Sequence, residues 1–180
     1  MKNIIIVCIS LLSALFSKKA VAQEGSATLN INLYAVQTIE VNDSDHTVNL
    51  DYQTKEDYMQ GVSLSKENHL KIYSTGGFVI RVRTSDLQLS SSTNSESIDA
   101  SDITVTAAKG TANGLDSFTS AAVQLSGTDR EFISSTTGAD RKTFDITYSA
   151  KGDNKYLTLF TKNQNPTVYT TQVVYSILPI

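Results

Sequence analysis

The sequence predicts an all-β fold, antiparallel and two-layered, with about eight or nine short strands, and three observations carry that expectation. Apolar and polar residues alternate in many short stretches, as a half-buried strand requires, because its successive side chains face opposite ways. Clusters of Gly, Asn, Asp and Ser separate these stretches. No window beyond the first residues sustains a helical period. The alternation is clearest near the end, where Tyr169, Thr171, Val173, Tyr175 and Ile177 share one side and Thr170, Gln172, Val174 and Ser176 the other. A strand so late in the chain has no later partner, so an earlier-built sheet must receive it.

The elements follow in order. Between Thr28 and Val41, Leu29, Ile31, Leu33, Ala35, Ile39 and Val41 share a phase, which predicts one long strand or two joined by a kink near Ala35. Asn42 to His46 reads as a turn, and Val48, Leu50 and Tyr52 as a second strand. Thr54 to Gly61 is one helical turn or a loop, and Val62 with Leu64 a short edge strand. Leu70 and Ile72 precede Gly76-Gly77, and Phe78, Ile80 and Val82 follow it. A hairpin over Thr75-Gly76-Gly77 would pair Ser74 with Phe78, Ile72 with Ile80 and Leu70 with Val82, with Gly77 at positive φ. The alternative is an arch carrying the chain from one sheet to the other.

Ser85 to Ser101 reads as a surface loop, with a short strand at Leu87 and Leu89. Ile103, Val105 and Ala107 form a strand, Gly110 to Ser117 a loop, and Val123 with Leu125 a short strand ending at Gly127. Ser134 to Arg141 is a polar loop before the strand of Phe144, Ile146 and Tyr148. Lys151 to Asn154 is a turn, Leu157 with Leu159 a short strand, and Asn163 to Pro166 a loop. Together these predict an antiparallel β-sandwich of the immunoglobulin-like kind, with a closed barrel as the competing architecture.

The chain has 180 residues, a formal net charge of -3 and a pI near 5.3, a balance that argues against nucleic acid as a partner. Met1-Lys2-Asn3, the apolar run from Ile4 to Phe16 and Ala20-Val21-Ala22 read as a secretory signal peptide over residues 1–22, cut before Gln23. That run is shorter than the roughly 20 apolar residues a membrane anchor needs. Residues 23–180 then form a single β-sandwich domain. Removing Lys2, Lys18 and Lys19 leaves 12 basic residues against 18 acidic ones, a net charge of -6. The one cysteine, Cys8, lies in the leader. The exported part therefore has no thiol for a disulfide, a thiolate metal site or a cysteine nucleophile.

Little in the sequence assembles a reaction. His46 and His69 fall in a predicted turn or strand start and are expected to be exposed; a hydrolase would need one of them beside a Ser and a carboxylate. No Gly-x-Ser-x-Gly elbow is present. Asn42, Asp43, Asp45 and Asp51 cluster oxygen ligands suited to calcium, without the spacing of an EF-hand loop. Tyr52, Phe78, Phe144, Tyr148 and Tyr175 fall in phase with aliphatic residues and are expected in the core. Tyr34, Tyr58, Tyr73 and Tyr156 fall out of phase or in loops and could face solvent as a sugar platform. The early strand around Leu29, Ile31 and Leu33 either opens its own sheet or leaves to complete a neighbour's.

A secretory leader, an early alternating strand and a tyrosine-bearing closing strand together resemble bacterial fimbrial (pilus) subunits and the related spore-coat-U-like proteins. Thr143 to Ala150, followed by Pro166, Tyr169, Val173, Tyr175 and Ile177, is also similar to secreted β-sandwich domains of Bacteroidota-type bacteria. The chain departs from the classical subunits in lacking their cysteine pair and in carrying Val168 where a glycine is common before the final strand. The resemblance implies an exported, non-enzymatic structural or adhesive surface module, with a fimbria-like subunit as one form. Its partners would be itself or other surface subunits through strand addition; no cofactor and no catalytic residue is implied. The other function expected of such a sequence is a ligand-binding module for carbohydrate or calcium.

Overall fold

The computed structural model describes residues 22–180, so the signal peptide and Cys8 lie outside the described residues, apart from Ala22. The chain divides into two units, Met1–Leu33 and Tyr34–Ile180. In the first unit, the described residues 22–33 are all exposed and form no helix or ladder.

The second unit is antiparallel β. Its strands are β1 (Gln37–Val41), β2 (Val62–Ser74), β3 (Phe78–Thr84), β4 (Gln88–Ser90), β5 (Ser97–Asp99), β6 (Ile103–Lys109), β7 (Thr119–Ser120), β8 (Val123–Gln124), β9 (Arg130–Ser135), β10 (Ala139–Ala150) and β11 (Val173–Pro179). One sheet runs β1-β2-β10-β6-β8 and a second runs β11-β3-β9-β7; β4 and β5 form a small separate pair. Leu70, Ile72, Val105, Phe144 and Ile146 of the first sheet share one core with Phe78, Ile80, Val82 and Ile133 of the second. Alternation explains this: in β3 the residues 78, 80, 82 and 84 are fully buried, while Arg81 and Arg83 face outward near Glu131 (3.9 Å) and Asp129 (3.6 Å).

Several sequence expectations are corrected. Only Gln37–Val41 of the long early stretch joins a ladder. Val48, Leu50 and Tyr52 do alternate inward, but no ladder includes them. The stretch at Val62 is no short edge: β2 has 13 residues, with β10 along its length and β1 beside its second half. With both flanks of that half occupied, β3 has no slot beside β2. The Gly76-Gly77 link is accordingly the arch, not the hairpin, and Gly77 is not at positive φ. An arch buries the same alternate residues, because the two inner faces look at each other across the core. Leu157 lies in a turn and Leu159 in irregular chain, not in a strand.

Other elements have local causes. The helix Lys55–Gln60 starts with a capping box: Asp57 N–H donates to Thr54 Oγ1 (3.2 Å), and Thr54 N–H to Asp57 Oδ2 (2.7 Å). Gly61, at φ +84, ends it, and a Cβ there would collide with Ala150 O and the Gly152 amide. In β2 a bulge centres on Asn68, whose φ of 52 an Asn tolerates. It sets the ladder from Leu70 opposite Phe144 to Lys66 opposite Ile146, and it turns His69 into the interior beside Leu70.

Candidate functional site

Two features of the described residues bear on function: an uncovered apolar arm and an uncovered strand edge. Residues 22–36 are exposed throughout. Within them Leu29, Ile31 and Leu33 are 87%, 79% and 89% exposed, and Tyr34 also faces solvent. Three large aliphatic side chains at alternate positions form one apolar stripe when the backbone is extended, with Asn30 and Asn32 on the polar side. Single exposed apolar residues are ordinary, whereas these three share one face.

The edge belongs to β11. It pairs with β3 from Val173 opposite Thr84 to Pro179 opposite Phe78, and among the described residues no strand pairs with its other side. Val173, Tyr175 and Ile177 pack on the core yet stay half-buried. An edge of this kind presents unpaired N–H and C=O groups to any further strand. β1, the edge of the other sheet, lies against β11.

A hydrogen-bonded chain fixes β11 across the core. Tyr175 Oη lies 2.6 Å from Tyr148 Oη of β10, and Tyr148 Oη lies 2.9 Å from His69 Nε2 of β2. His69 is 2% exposed, which corrects the expectation of a solvent-facing histidine. Burial pushes the Tyr148 hydroxyl up to about 12 against the opposing bond from Tyr175. Burial also pushes Tyr175 well above the ordinary tyrosine value, and the neighbouring Tyr148 adds to it. The sequence hid this trio because His69 enters the core only through the bulge at Asn68.

A second polar cluster closes one end of the domain. Asp102, buried, accepts from Lys155 Nζ (2.6 Å) and Lys151 Nζ (3.0 Å) at a single oxygen, Oδ1. Burial alone would push its carboxyl up; the two lysines outweigh that and hold it below the usual carboxylate value. Tyr52 donates to Lys151 O (2.6 Å) and packs edge-on against Tyr156, with the Tyr58 ring 5.3 Å away. Burial and then the charge of Asp102 push Tyr52 up to about 12. Tyr156 is buried, not the exposed loop tyrosine the sequence suggested, and its hydroxyl is pushed up by the same two causes. Tyr52 therefore packs against both Tyr58 and Tyr156.

The remaining candidates stay apart. His46 Nε2 sits 3.5 Å from Asp43 Oδ1 at the surface, and His69 engages a tyrosine. The Asp45 side chain lies outside the described residues, and among those described no group of three His, Cys, Asp or Glu is placed to hold a metal. Tyr73 is partly exposed on the outer face of β2. Among the described residues no helix is long and apolar enough to cross a membrane. No family model and no curated protein matches the chain.

Proposed function

We propose that the chain is an exported, immunoglobulin-like β-sandwich with a structural or adhesive role at the cell surface, a fimbria-like subunit that joins others through its N-terminal arm. The observation that carries this reading is the stripe of Leu29, Ile31 and Leu33, held wholly in solvent in a sequence that alternates like a strand. Leaving three such side chains wet forgoes roughly 1.5–3 kcal/mol each, a loss that association recovers. Main-chain hydrogen bonds to a sheet edge would supply affinity, and the apolar side chains would set register. The leader-like first 22 residues support export, and the thiol-free remainder suits a domain held by its core alone.

The test is assembly of the purified chain beginning at Gln23. Unheated samples on a denaturing gel, together with sedimentation velocity, are expected to show a ladder of species that grows with concentration. Replacing Leu29, Ile31 and Leu33 together by Asn should collapse the ladder to one band while leaving the thermal midpoint unchanged. A single monomeric species of the unaltered chain at every concentration refutes the reading.

A further inference from the structure

A cleft of about 500 Å³ opens beside the small β4–β5 pair, lined by Leu87, Gln88, Asp99, Ser101, Leu125 and Ser126. Local hydrogen bonds fix its walls. Ala100 N–H donates to Leu87 O (2.9 Å), which ties the entry of β4 to the end of β5. Leu125 N–H donates to Ile103 O (2.9 Å) and Thr84 N–H to Ser126 O (2.8 Å), which ties the stretch after β8 to β6 and β3. Leu125, 1% exposed, belongs to the core, whereas Leu87 is 71% exposed. The Leu87 side chain lies against the bare backbone of Gly127, where an added Cβ would meet Leu87 Cδ2 at 3.1 Å. The cleft therefore exists before any ligand arrives, and filling it does not require a loop to be ordered.

Hydrogen bonding sets what its polar groups can do. Gln88 Nε2 donates to Asp99 Oδ1 (3.1 Å), so a hydrogen of this amide is used within the wall. Ser126 Oγ donates its one proton to Thr128 O (3.1 Å) and is left to accept. The Asp99 carboxylate accepts only. Among the described residues the lining holds no Lys, Arg, His or aromatic ring. An anion finds no counter-charge there, and a planar base finds no ring to stack on. A calcium-type ion, which takes at least about six oxygen ligands, finds a single carboxylate. The ligand that fits brings donors, a positive charge and an aliphatic body.

We propose that this cleft binds a primary alkylammonium group. The ammonium carries three donors and no acceptor, the complement of Asp99, Gln88 Oε1 and Ser126 Oγ. Its alkyl chain lies on Leu87 and covers an aliphatic side chain that is otherwise wet. The net charge of -3 draws cations to the protein at low salt. A free amine and the lysine side chain of another protein carry this same group.

The test is a titration of n-butylammonium into the 15N-labelled full-length protein at low salt, followed by amide NMR. Saturable shifts confined to the amides of residues 87–88, 99–101 and 125–127 are expected, with a Kd on the order of 10 mM for so small a ligand. Asp99→Asn retains an Oδ1 that accepts from Gln88, and it should weaken binding about fivefold. Leu87→Ala should weaken butylammonium and leave methylammonium unchanged. Equal shifts with n-butanol or a methyl glucoside overturn the proposal, as does equal affinity in Asp99→Asn or the lack of any saturable shift below about 100 mM. Nα-acetyl-lysine amide separates the two sources. Tighter binding than butylammonium assigns the site to a partner's lysine, and weaker binding assigns it to a free amine; both uphold the ammonium chemistry.

Discussion

Replacing Tyr148 by Phe removes one oxygen that two other groups use, and its cost can be worked from the geometry. His69 Nε2 at 2.9 Å and Tyr175 Oη at 2.6 Å both point at it. The ring itself is retained, so packing with the core is nearly unchanged. Each buried group that loses this partner costs about 1–3 kcal/mol, less whatever water recovers. Tyr175 is the more accessible of the two, so the low end applies to it. The sum expected for Tyr148→Phe is about 2–3 kcal/mol, a fall in thermal midpoint of roughly 4–12 °C for a domain of this size. Tyr175→Phe leaves the Tyr148–His69 bond in place and should cost only about 1 kcal/mol. The double variant should cost less than the two single changes added, because they break a shared bond. Urea unfolding followed by tyrosine fluorescence measures all three. A Tyr148→Phe variant within about 0.5 kcal/mol of the parent, or one less damaging than Tyr175→Phe, would refute the claim that this chain of hydroxyls holds β11 across the core.

Four further outcomes follow from other parts of the fold. The Asp102 carboxyl is held below its unfolded value, so its contribution is complete above about pH 4 and disappears as pH falls toward the folded pKa. Stability measured from pH 6 down to pH 2 should therefore decline, and Asp102→Asn should flatten that decline. Because Lys151 and Lys155 are nearly half exposed and regain water, Asp102→Ala should cost only about 1–2 kcal/mol at pH 7 by urea unfolding. Tyr148 is shifted the other way, so stability should be lost as pH rises from about 10 through about 12, with its share of the tyrosinate absorbance appearing only there. Gly61→Ala combines φ +84 with a collision against the Ala150–Gly152 backbone and should cost more than about 1 kcal/mol in calorimetry, whereas Gly76→Ala, whose added carbon meets nothing within 4 Å, should be close to neutral.

The inner rows of the fold were legible where alternation runs unbroken. Phe78, Ile80 and Val82, and Phe144, Ile146 and Tyr148, are buried as the period demands. What alternation cannot report is which layer a strand joins. The pattern around Gly76-Gly77 suits a hairpin and an arch equally, and only the occupancy of both flanks of β2 decides between them. Bulges concealed the rest. Strand β9 went unrecognised because Phe132 and Ile133 are buried in succession, where the register with β3 shifts between Ile80 and Arg81. His69 was hidden in the same way by Asn68. The Asp102 cluster draws on residues some fifty positions apart, and no local spacing announces it. For the arm, the sequence showed the apolar row, and the structure added that Leu29, Ile31 and Leu33 are exposed.

The pairing of β3 with β11 has a temporal consequence. Residues 78–84 leave the ribosome long before residues 173–179, with 89 to 101 positions between partners. Until they are made, β3 has only β9 beside it in its sheet. A topology dominated by such distant pairings is slow to form and prone to sticking while it waits. The β3–β11 ladder thus closes only once residues 173–179 exist, later than the ladder that joins β2 and β10.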